Sequence, residues 1–170
     1  MGGSAEQVST GDALLDGLVT LGDDLPFNRH LGVRVRSVEP GRVTTVLPAN
    51  EALSNHLGGV HAVAELAPVE LAGALAASSR LRPLLERGYV PVVGGLTVRY
   101  TAPANGELIA TGEVAEDAVA PAIAAADAGE KPKAVATVEV QDAAGTTVVV
   151  AELTFVYLDL GGADASGLAG

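Results

Sequence analysis

NHLGGVHAVAELAPVELAGA, residues 55–74, joins a polar loop to a segment that is apolar on nearly every side. The pattern predicts a helix from about Val60 to Ser79, and a helix without a polar face is a buried one. Two carboxylates, Glu65 and Glu70, nevertheless lie inside it. Burying an unpaired charge costs several kcal/mol, so both are expected to be paired, protonated or used in chemistry. We therefore look for the functional site in this segment.

Strand patterns surround this predicted helix. Alternating apolar residues and turn signals predict a short helix over 12–21, then strands over 33–36, 43–47, 92–101, 108–114, 134–141 and 146–158. Residues 116–133 fit a short helix or an ordered loop, and Gly94-Gly95 suggests a β-bulge. One long helix among six strands predicts an α+β fold, with an antiparallel sheet wrapped around the helix. We expect an N-terminal extension over 1–24, one domain over 25–160 and a flexible tail over 161–170.

Composition narrows the classes of function. The 170 residues carry a net charge of -11, which argues against nucleic acid and anionic membranes as partners. No apolar run is long enough to span a membrane, and no secretory signal is visible. Cysteine is absent, which removes disulfides and thiolate chemistry and is compatible with a cytoplasmic location. We find no metal-ligand spacing, no phosphate-binding glycine loop and no serine-hydrolase motif.

The segment from Phe27 to Leu158 resembles the hotdog-fold thioesterase superfamily, of the phenylacetyl-CoA-thioesterase-like type. It is most similar to a branch described as a domain of unknown function. The family pattern is Asn or Gln, then His-Gly-Gly six residues later, then Asp or Glu nine residues after that His. Asn55, His61 and Glu70 fit both intervals, whereas Ala62 and Val63 replace the two glycines. The resemblance implies a hotdog domain over 25–160 that acts on acyl thioesters without a metal, coenzyme A being part of the substrate.

Three residues are predicted to be catalytic. The apolar neighbours of Glu70 should raise its pKa, and such a carboxylate acts as a general base on water or attacks a thioester itself. The resemblance assigns the oxyanion donor to the backbone N–H of Ala62, a type of donor that any helix start offers. Asn55 either binds the thioester carbonyl or water, or simply forms the turn.

Other residues are candidates for positioning the substrate. His61 and Glu65 are four apart and are expected to form a local structural pair, with His61 also placed at the substrate. Pro68 is expected to kink the helix. In the family, a Ser or Thr on the strand over 92–101 helps to hold water. Val93 is nearest to that position, and Thr97 follows; apolar residues of this strand line an acyl tunnel or belong to the core.

The remaining predictions concern coenzyme A and assembly. Arg80 and Arg82, with Arg87, are candidates for its phosphates, although such clusters are often merely solvated. Ala62 and Glu70 lie about 12 Å apart on an unbroken helix, so one thioester meets both only if a second chain supplies one of them. We therefore expect a homodimer, possibly a dimer of dimers.

Two functions from different classes follow. The first is an acyl-CoA thioesterase. The alternative is a non-catalytic hotdog protein that binds an acyl-CoA or a lipid-like ligand, which the replaced glycines favour. A hotdog enoyl-CoA hydratase is the weakest option, because the Asp that those enzymes place near the His is not found.

Overall fold

One antiparallel sheet of six strands curves around a central helix within residues 8–160, the part of the chain that the computed structural model describes. The order across the sheet is β1-β2-β4-β5-β6-β3, so β1 and β3 are its edges. This architecture is the predicted α+β hotdog fold. The elements are α1 (Ala13–Asp24), α2 (Pro26–Leu31), β1 (Arg34–Glu39), β2 (Arg42–Leu47), a 3-10 turn (Glu51–Leu53), α3 (Leu66–Arg80), α4 (Arg82–Leu85), β3 (Tyr89–Tyr100), β4 (Leu108–Glu113), a second 3-10 turn (Glu116–Ala118), α5 (Val119–Asp127), β5 (Lys133–Gln141) and β6 (Thr147–Asp159).

Helix α3 is buried because the sheet covers most of its circumference. Strand β5 shows the reason clearly, since its small apolar residues Ala134, Ala136, Val138 and Val140 point inward and alternate with exposed residues. The closest approach is at Gly112 on β4, where a Cβ atom would lie 2.6 Å from the carbonyl oxygen of Ala72. A residue without a side chain at this point allows the helix to lie directly on the sheet.

The N-terminal helix is confirmed and packs on this core. The Asp12 carboxylate accepts hydrogen bonds from the N–H groups of Leu14 and Leu15, at 2.9 and 3.3 Å, and so caps α1. Gly22 lies against the side chain of Leu71 on α3. The boundaries proposed at residues 24 and 160 stay predictions, and the predicted tail over 161–170 lies outside the described residues.

The predicted strands are all present, with different ends. Strand β3 begins at Tyr89, earlier than predicted, and runs to Tyr100 as one edge of the sheet. The predicted bulge is confirmed, because the register with β6 shifts between Val93 and Gly95. The segment over 116–133 contains a 3-10 turn followed by α5.

The predicted start of the central helix at Val60 is wrong, and α3 begins at Leu66. The loop takes the backbone groups that a helix would need: Val60 N–H donates to Ala104 and His61 N–H donates to Leu53. Pro68 therefore occupies the first turn of α3. The N–H groups in the first turn of a helix have no acceptor within the helix, so a proline there removes no helical hydrogen bond. The expected kink is therefore absent.

Candidate functional site

A tight turn between His61 and Leu66 leads into α3. The His61 carbonyl oxygen accepts hydrogen bonds from the N–H groups of Ala64 and Glu65, at 2.8 and 3.2 Å. Within residues 8–160, the exposed N–H of Ala62 has no acceptor. The two bonds to the carbonyl polarise the His61–Ala62 peptide and strengthen its N–H as a donor. The turn thus holds one free, activated N–H at the position that the family resemblance assigned to the oxyanion donor.

The ring of His61 is part of the same turn. Its Nδ1 accepts the N–H of Val63 at 3.1 Å, so the neutral ring carries its proton on Nε2. The expected side-chain pair with Glu65 is not formed, since Glu65 bonds to His61 only through its backbone N–H. His61 is exposed and presents an N–H donor beside Ala62.

Glu65 is the most unusual titratable residue of the described chain. It is only 4% exposed, and its Oε2 has no hydrogen-bond partner among residues 8–160. Burial raises the pKa of its carboxyl to about 7. The sequence placed this residue inside a helix without a polar face and so indicated that it would be buried, but it assigned Glu65 a histidine partner that it does not have.

Tyr100, at the end of β3, completes this environment. Its hydroxyl donates to the carbonyl oxygen of Ala62 at 2.9 Å. The pKa of the phenol is raised, first by burial and second by the charge of Glu65. No sequence signal pointed to Tyr100, because it lies 38 residues from the residue it bonds.

Glu70 projects from α3 on the opposite side from Glu65. Five residues at about 100° each separate the two carboxyls by roughly 140° around the helix. In the single chain Glu70 is exposed beside the half-exposed Leu66 and Ala74, and its enclosure at a seam with a second chain stays a prediction. The surrounding protein still removes enough water to raise the pKa of its carboxyl. Leu66, Glu70 and Ala74 together form an accessible strip along a helix that is otherwise largely buried.

Asn55 organises its own loop. Its Oδ1 accepts from the N–H groups of Leu57 and Gly59, at 2.8 and 3.2 Å, while Nδ2 donates to the Val60 carbonyl at 2.9 Å. These bonds correspond to the turn-forming interpretation. The predicted contact with a thioester or water stays a prediction, and the second amide hydrogen is the group left for it.

An apolar groove begins beside Ala62. Its volume is about 370 Å³, and no Asp, Glu, Lys or Arg lines it. The lining residues come from α2, from the first 3-10 turn and from the turn before α3: Phe27, Leu31, Ala52, Leu53, Ser54, His61, Val63 and Ala64. Phe27 and Val63 are 64% and 67% exposed, respectively, which is unusual for large apolar side chains.

The other predicted substrate residues lie apart from this turn. Val93 and Thr97 are exposed on edge strand β3, where Val92 and Leu96 are exposed as well. Arg80 ends α3, about 20 Å along the helix from Leu66, and donates to the Val114 carbonyl. Arg82 is ion-paired with Asp12 and Glu86. The structure therefore brings Ala62 and His61 together and leaves the arginines at the far end of the helix.

Metal and membrane features are lacking in the described part of the chain. Residues 8–160 contain no cluster of three or more His, Asp or Glu side chains that could hold a metal ion. None of the helices there combines the length and the apolar character needed to cross a membrane.

Comparisons with known proteins agree with this fold. A family model described as a domain of unknown function, DUF4442, matches residues 18–157. No curated protein sequence matches the chain. Among solved structures, a probable thioesterase from Pseudomonas aeruginosa superposes with a TM-score of 0.72 at 20% identity, covering 84% of this chain and 93% of that one.

Two further structures have the same fold. A thioesterase family protein from Silicibacter pomeroyi gives a TM-score of 0.68 at 22% identity, over 85% of this chain and 98% of its own. The PaaI protein from the phenylacetic acid degradation operon of E. coli gives 0.64 at 16% identity, over 82% and 88%. At these identities the likeness establishes the fold.

Proposed function

Because this chain belongs to the DUF4442 family, described as a domain of unknown function, and has the hotdog fold of named thioesterases, we propose that it hydrolyses acyl thioesters of coenzyme A. The observation that carries the proposal is the free N–H of Ala62, in a hydrogen-bonded turn whose neighbouring residues His61 and Val63 line an apolar groove. A thioester oxygen that gains negative charge as its carbonyl is attacked needs a fixed donor of this kind.

Glu70 supplies the second part of the proposed mechanism. As a general base it takes a proton from water while the water oxygen bonds to the carbonyl carbon. The tetrahedral intermediate then collapses, the C–S bond breaks, and the thiolate leaves with the electron pair. In the alternative, the Glu70 carboxylate attacks the carbonyl carbon, the C–S bond breaks as the thiolate leaves with its electron pair, and water then hydrolyses the resulting anhydride to the free acid and Glu70. The raised pKa of Glu70 makes it a stronger base than an ordinary glutamate.

A second copy of the chain is part of the proposal. Edge strand β3 has twelve residues, of which Arg99 is the only charged one, and its outer edge is unpaired within residues 8–160. Such edges pair with another strand unless they are protected. A homodimer through β3, or a dimer of two such dimers, covers Val93 and Leu96 and encloses Glu70 at the seam. The acyl group then lies at that seam, beside Val93 and Thr97.

The alternative, a non-catalytic hotdog protein that binds acyl-CoA, has its own support. Ala62 and Val63 stand where the family pattern has glycines, Val93 offers no hydroxyl to hold water, and the Asn55 side chain is occupied by its loop. The added side chains crowd the helix start, while the absent hydroxyl and the engaged Asn55 leave fewer groups to act on the thioester.

A panel of aliphatic and aromatic acyl-CoAs with detection of free thiol tests the proposal. Thiol release that depends on Glu70 supports the thioesterase. Binding of acyl-CoA without thiol release across the panel supports the alternative. Sedimentation of the same preparation gives the oligomeric state, and full turnover by a 17.0 kDa monomer contradicts the shared site.

A further inference from the structure

The carboxyl of Glu65 is a buried polar group that the proposed mechanism leaves unused. Its residue is 4% exposed, and Oε2 has no hydrogen-bond partner among residues 8–160. A buried polar atom without a partner costs about 1–3 kcal/mol. Native proteins keep few such atoms, and each one calls for a specific explanation. Glu65 therefore requires a role of its own, separate from that of Glu70.

The position of Glu65 in the chain connects it to the proposed oxyanion donor. The carbonyl oxygen of His61 accepts the N–H of Glu65 at 3.2 Å, so Glu65 closes the turn that carries Ala62. Side chains three positions apart in a helical turn have Cβ atoms about 5–6 Å from each other. A change in the charge of Glu65 therefore occurs within one turn of the Ala62 N–H.

Tyr100 links the two residues through its hydroxyl group. The hydroxyl donates to the Ala62 carbonyl oxygen at 2.9 Å and so attaches the turn to the end of β3. The charge of Glu65 contributes, after burial, to the raised pKa of the Tyr100 phenol. The carboxyl is thus close enough for its charge to act on the phenol oxygen. The phenol has one hydrogen to donate, and an ionised Glu65 would compete with Ala62 for it.

Burial, and no neighbouring charge, raises the pKa of Glu65. Glu70 lies on the opposite side of α3, and the charged residues of β2, β4, β5 and β6 are all exposed. The titratable and charged residues of the remaining neighbouring elements are exposed as well, and within the described chain none forms an ion pair with Glu65: Arg29, His30, Glu51, His61 and Arg99. An ionised Glu65 would therefore have the Tyr100 hydroxyl as its available donor.

We propose that Glu65 is a positioning residue for the oxyanion donor. While its carboxyl is neutral, the Tyr100 hydroxyl stays on the Ala62 carbonyl. When Glu65 loses its proton to solvent, the carboxylate accepts the hydroxyl hydrogen in place of that carbonyl, and the turn is released from β3. Tyr100 keeps its own proton throughout, and only its acceptor changes. A buried carboxylate without a donor is costly, and a charge-assisted bond is stronger than one to a peptide carbonyl.

The effect on catalysis rests on the proposed thioesterase function and has a definite sign. Burial raises the pKa of Glu65 to about 7, so the turn is fixed on the acid side of this value and released on the alkaline side. Glu70 must be ionised to act as a base, and its pKa is raised as well. Hydrolysis should therefore be fastest in a window that begins at the pKa of Glu70 and ends near pH 7.

The dependence of kcat on pH tests the role of Glu65 in the reaction. From pH 6 to pH 8.5, kcat of the wild type should fall about fivefold, which corresponds to the loss of one hydrogen bond. Glu65→Gln, which cannot ionise, should show no such fall. Tyr100→Phe should show none either, because it has no hydroxyl to move. Glu51→Gln, an exposed glutamate, is the matched control and should fall like the wild type.

Carbon NMR of protein labelled at the hydroxyl-bearing ring carbon of tyrosine gives a readout that needs no turnover. The Tyr100 signal, assigned by its loss in Tyr100→Phe, should move with a midpoint near pH 7 and stay fixed in Glu65→Gln. Tyr89 is the internal reference, since its hydroxyl forms no hydrogen bond within the described residues. If Glu65→Gln does not fold, Glu65→Met repeats the test with a similar volume and no titratable group.

The two measurements separate this inference from the thioesterase proposal. If the Tyr100 signal moves as expected while no thioester is hydrolysed, the inference on Glu65 stands and the thioesterase proposal fails. If thioesters are hydrolysed while the Tyr100 signal stays fixed between pH 6 and pH 8.5, the inference is wrong. A fall in kcat that persists in Tyr100→Phe also overturns it, because the charge would then act without the hydrogen bond.

Discussion

The hydroxyl of Tyr100 donates a 2.9 Å hydrogen bond to the carbonyl oxygen of Ala62. The bond fixes the turn that carries the free Ala62 N–H to the last residue of edge strand β3. The bond therefore couples a strand at the proposed dimer seam to the proposed oxyanion site. A change in the position of either end should shift the other end.

Tyr100→Phe removes that bond and keeps the ring. We expect the free energy of unfolding to fall by about 1 kcal/mol, and kcat to fall about fivefold, which is the same energy expressed as a rate. Chemical denaturation and thiol-release kinetics measure the two effects. Tyr89→Phe is the control, since the Tyr89 hydroxyl forms no hydrogen bond within the described residues. Equal losses in the two variants would assign the effect to the strand in general.

Glu65→Gln should change how stability depends on pH. The pKa of Glu65 is raised from 4.5 to about 7, so between these values the folded state keeps a proton that the unfolded chain releases. Its contribution is full below pH 4.5, falls as the pH rises to 7 and is constant above. Relative to the glutamine variant, the wild type should lose about 1–3 kcal/mol over this window.

Unfolding by urea at closely spaced pH values between 4 and 8.5 measures the difference. Glu51→Gln, an exposed glutamate of the first 3-10 turn, is the matched control and should follow the wild type at every pH. A constant offset between wild type and Glu65→Gln at every pH would show that Glu65 does not keep its proton on folding.

Glu70→Gln should lower kcat by about 10²–10⁴, the usual contribution of general base catalysis, and leave the melting temperature nearly unchanged. Because the pKa of Glu70 is raised, the activity of the wild type should also fall on the acid side at a higher pH than for an ordinary glutamate. Glu116→Gln, on the second 3-10 turn, provides the exposed control. Undiminished hydrolysis by Glu70→Gln removes this residue from the mechanism.

Leu96→Lys should dissociate the proposed dimer. It adds a charge to the exposed face of edge strand β3, where desolvating an ammonium group costs more than the contact supplies. Sedimentation should show a 17.0 kDa species, and thioester hydrolysis should be lost with the second chain. Val135→Lys has a nearly equal exposure, 45% against 43%, on a strand inside the sheet, and should leave the assembly intact. If Leu96→Lys and Val135→Lys sediment as species of the same mass, β3 is not the dimer seam.

Gly112→Ala tests the contact between α3 and the sheet. The added methyl group would lie 2.6 Å from the Ala72 carbonyl oxygen, which is backbone and cannot rotate away. We expect a loss of about 2–4 kcal/mol in the free energy of unfolding. Gly17→Ala on α1, with no atom within 4 Å of the new Cβ, should instead gain about 0.5–1 kcal/mol. Thermal melts should show a lower melting temperature for Gly112→Ala and a higher one for Gly17→Ala, each relative to the wild type.

The functional site was only partly predictable from sequence. The spacing of Asn55, His61 and Glu70 indicated the loop and helix start that the structure places beside the apolar groove, because these residues lie close together along the chain. The lack of a partner for the Glu65 carboxyl within residues 8–160 and the bond to Tyr100 were missed. Both depend on which side of the helix faces the sheet, and a helix that is apolar all round gives no indication of it.

The sequence by itself determined the order and type of the main elements, since alternating and helical periodicities are local properties of consecutive residues. The hairpins, the β-bulge at Gly94 and an antiparallel sheet around one helix follow from that local information, and the family resemblance implied the hotdog fold. Only the tertiary structure decided where α3 begins, because Ala104 and Leu53 bond the backbone of Val60 and His61 and keep it out of the helix. It also exposed Glu70 and buried Glu65, since the sheet covers one side of the helix start and leaves the other side open.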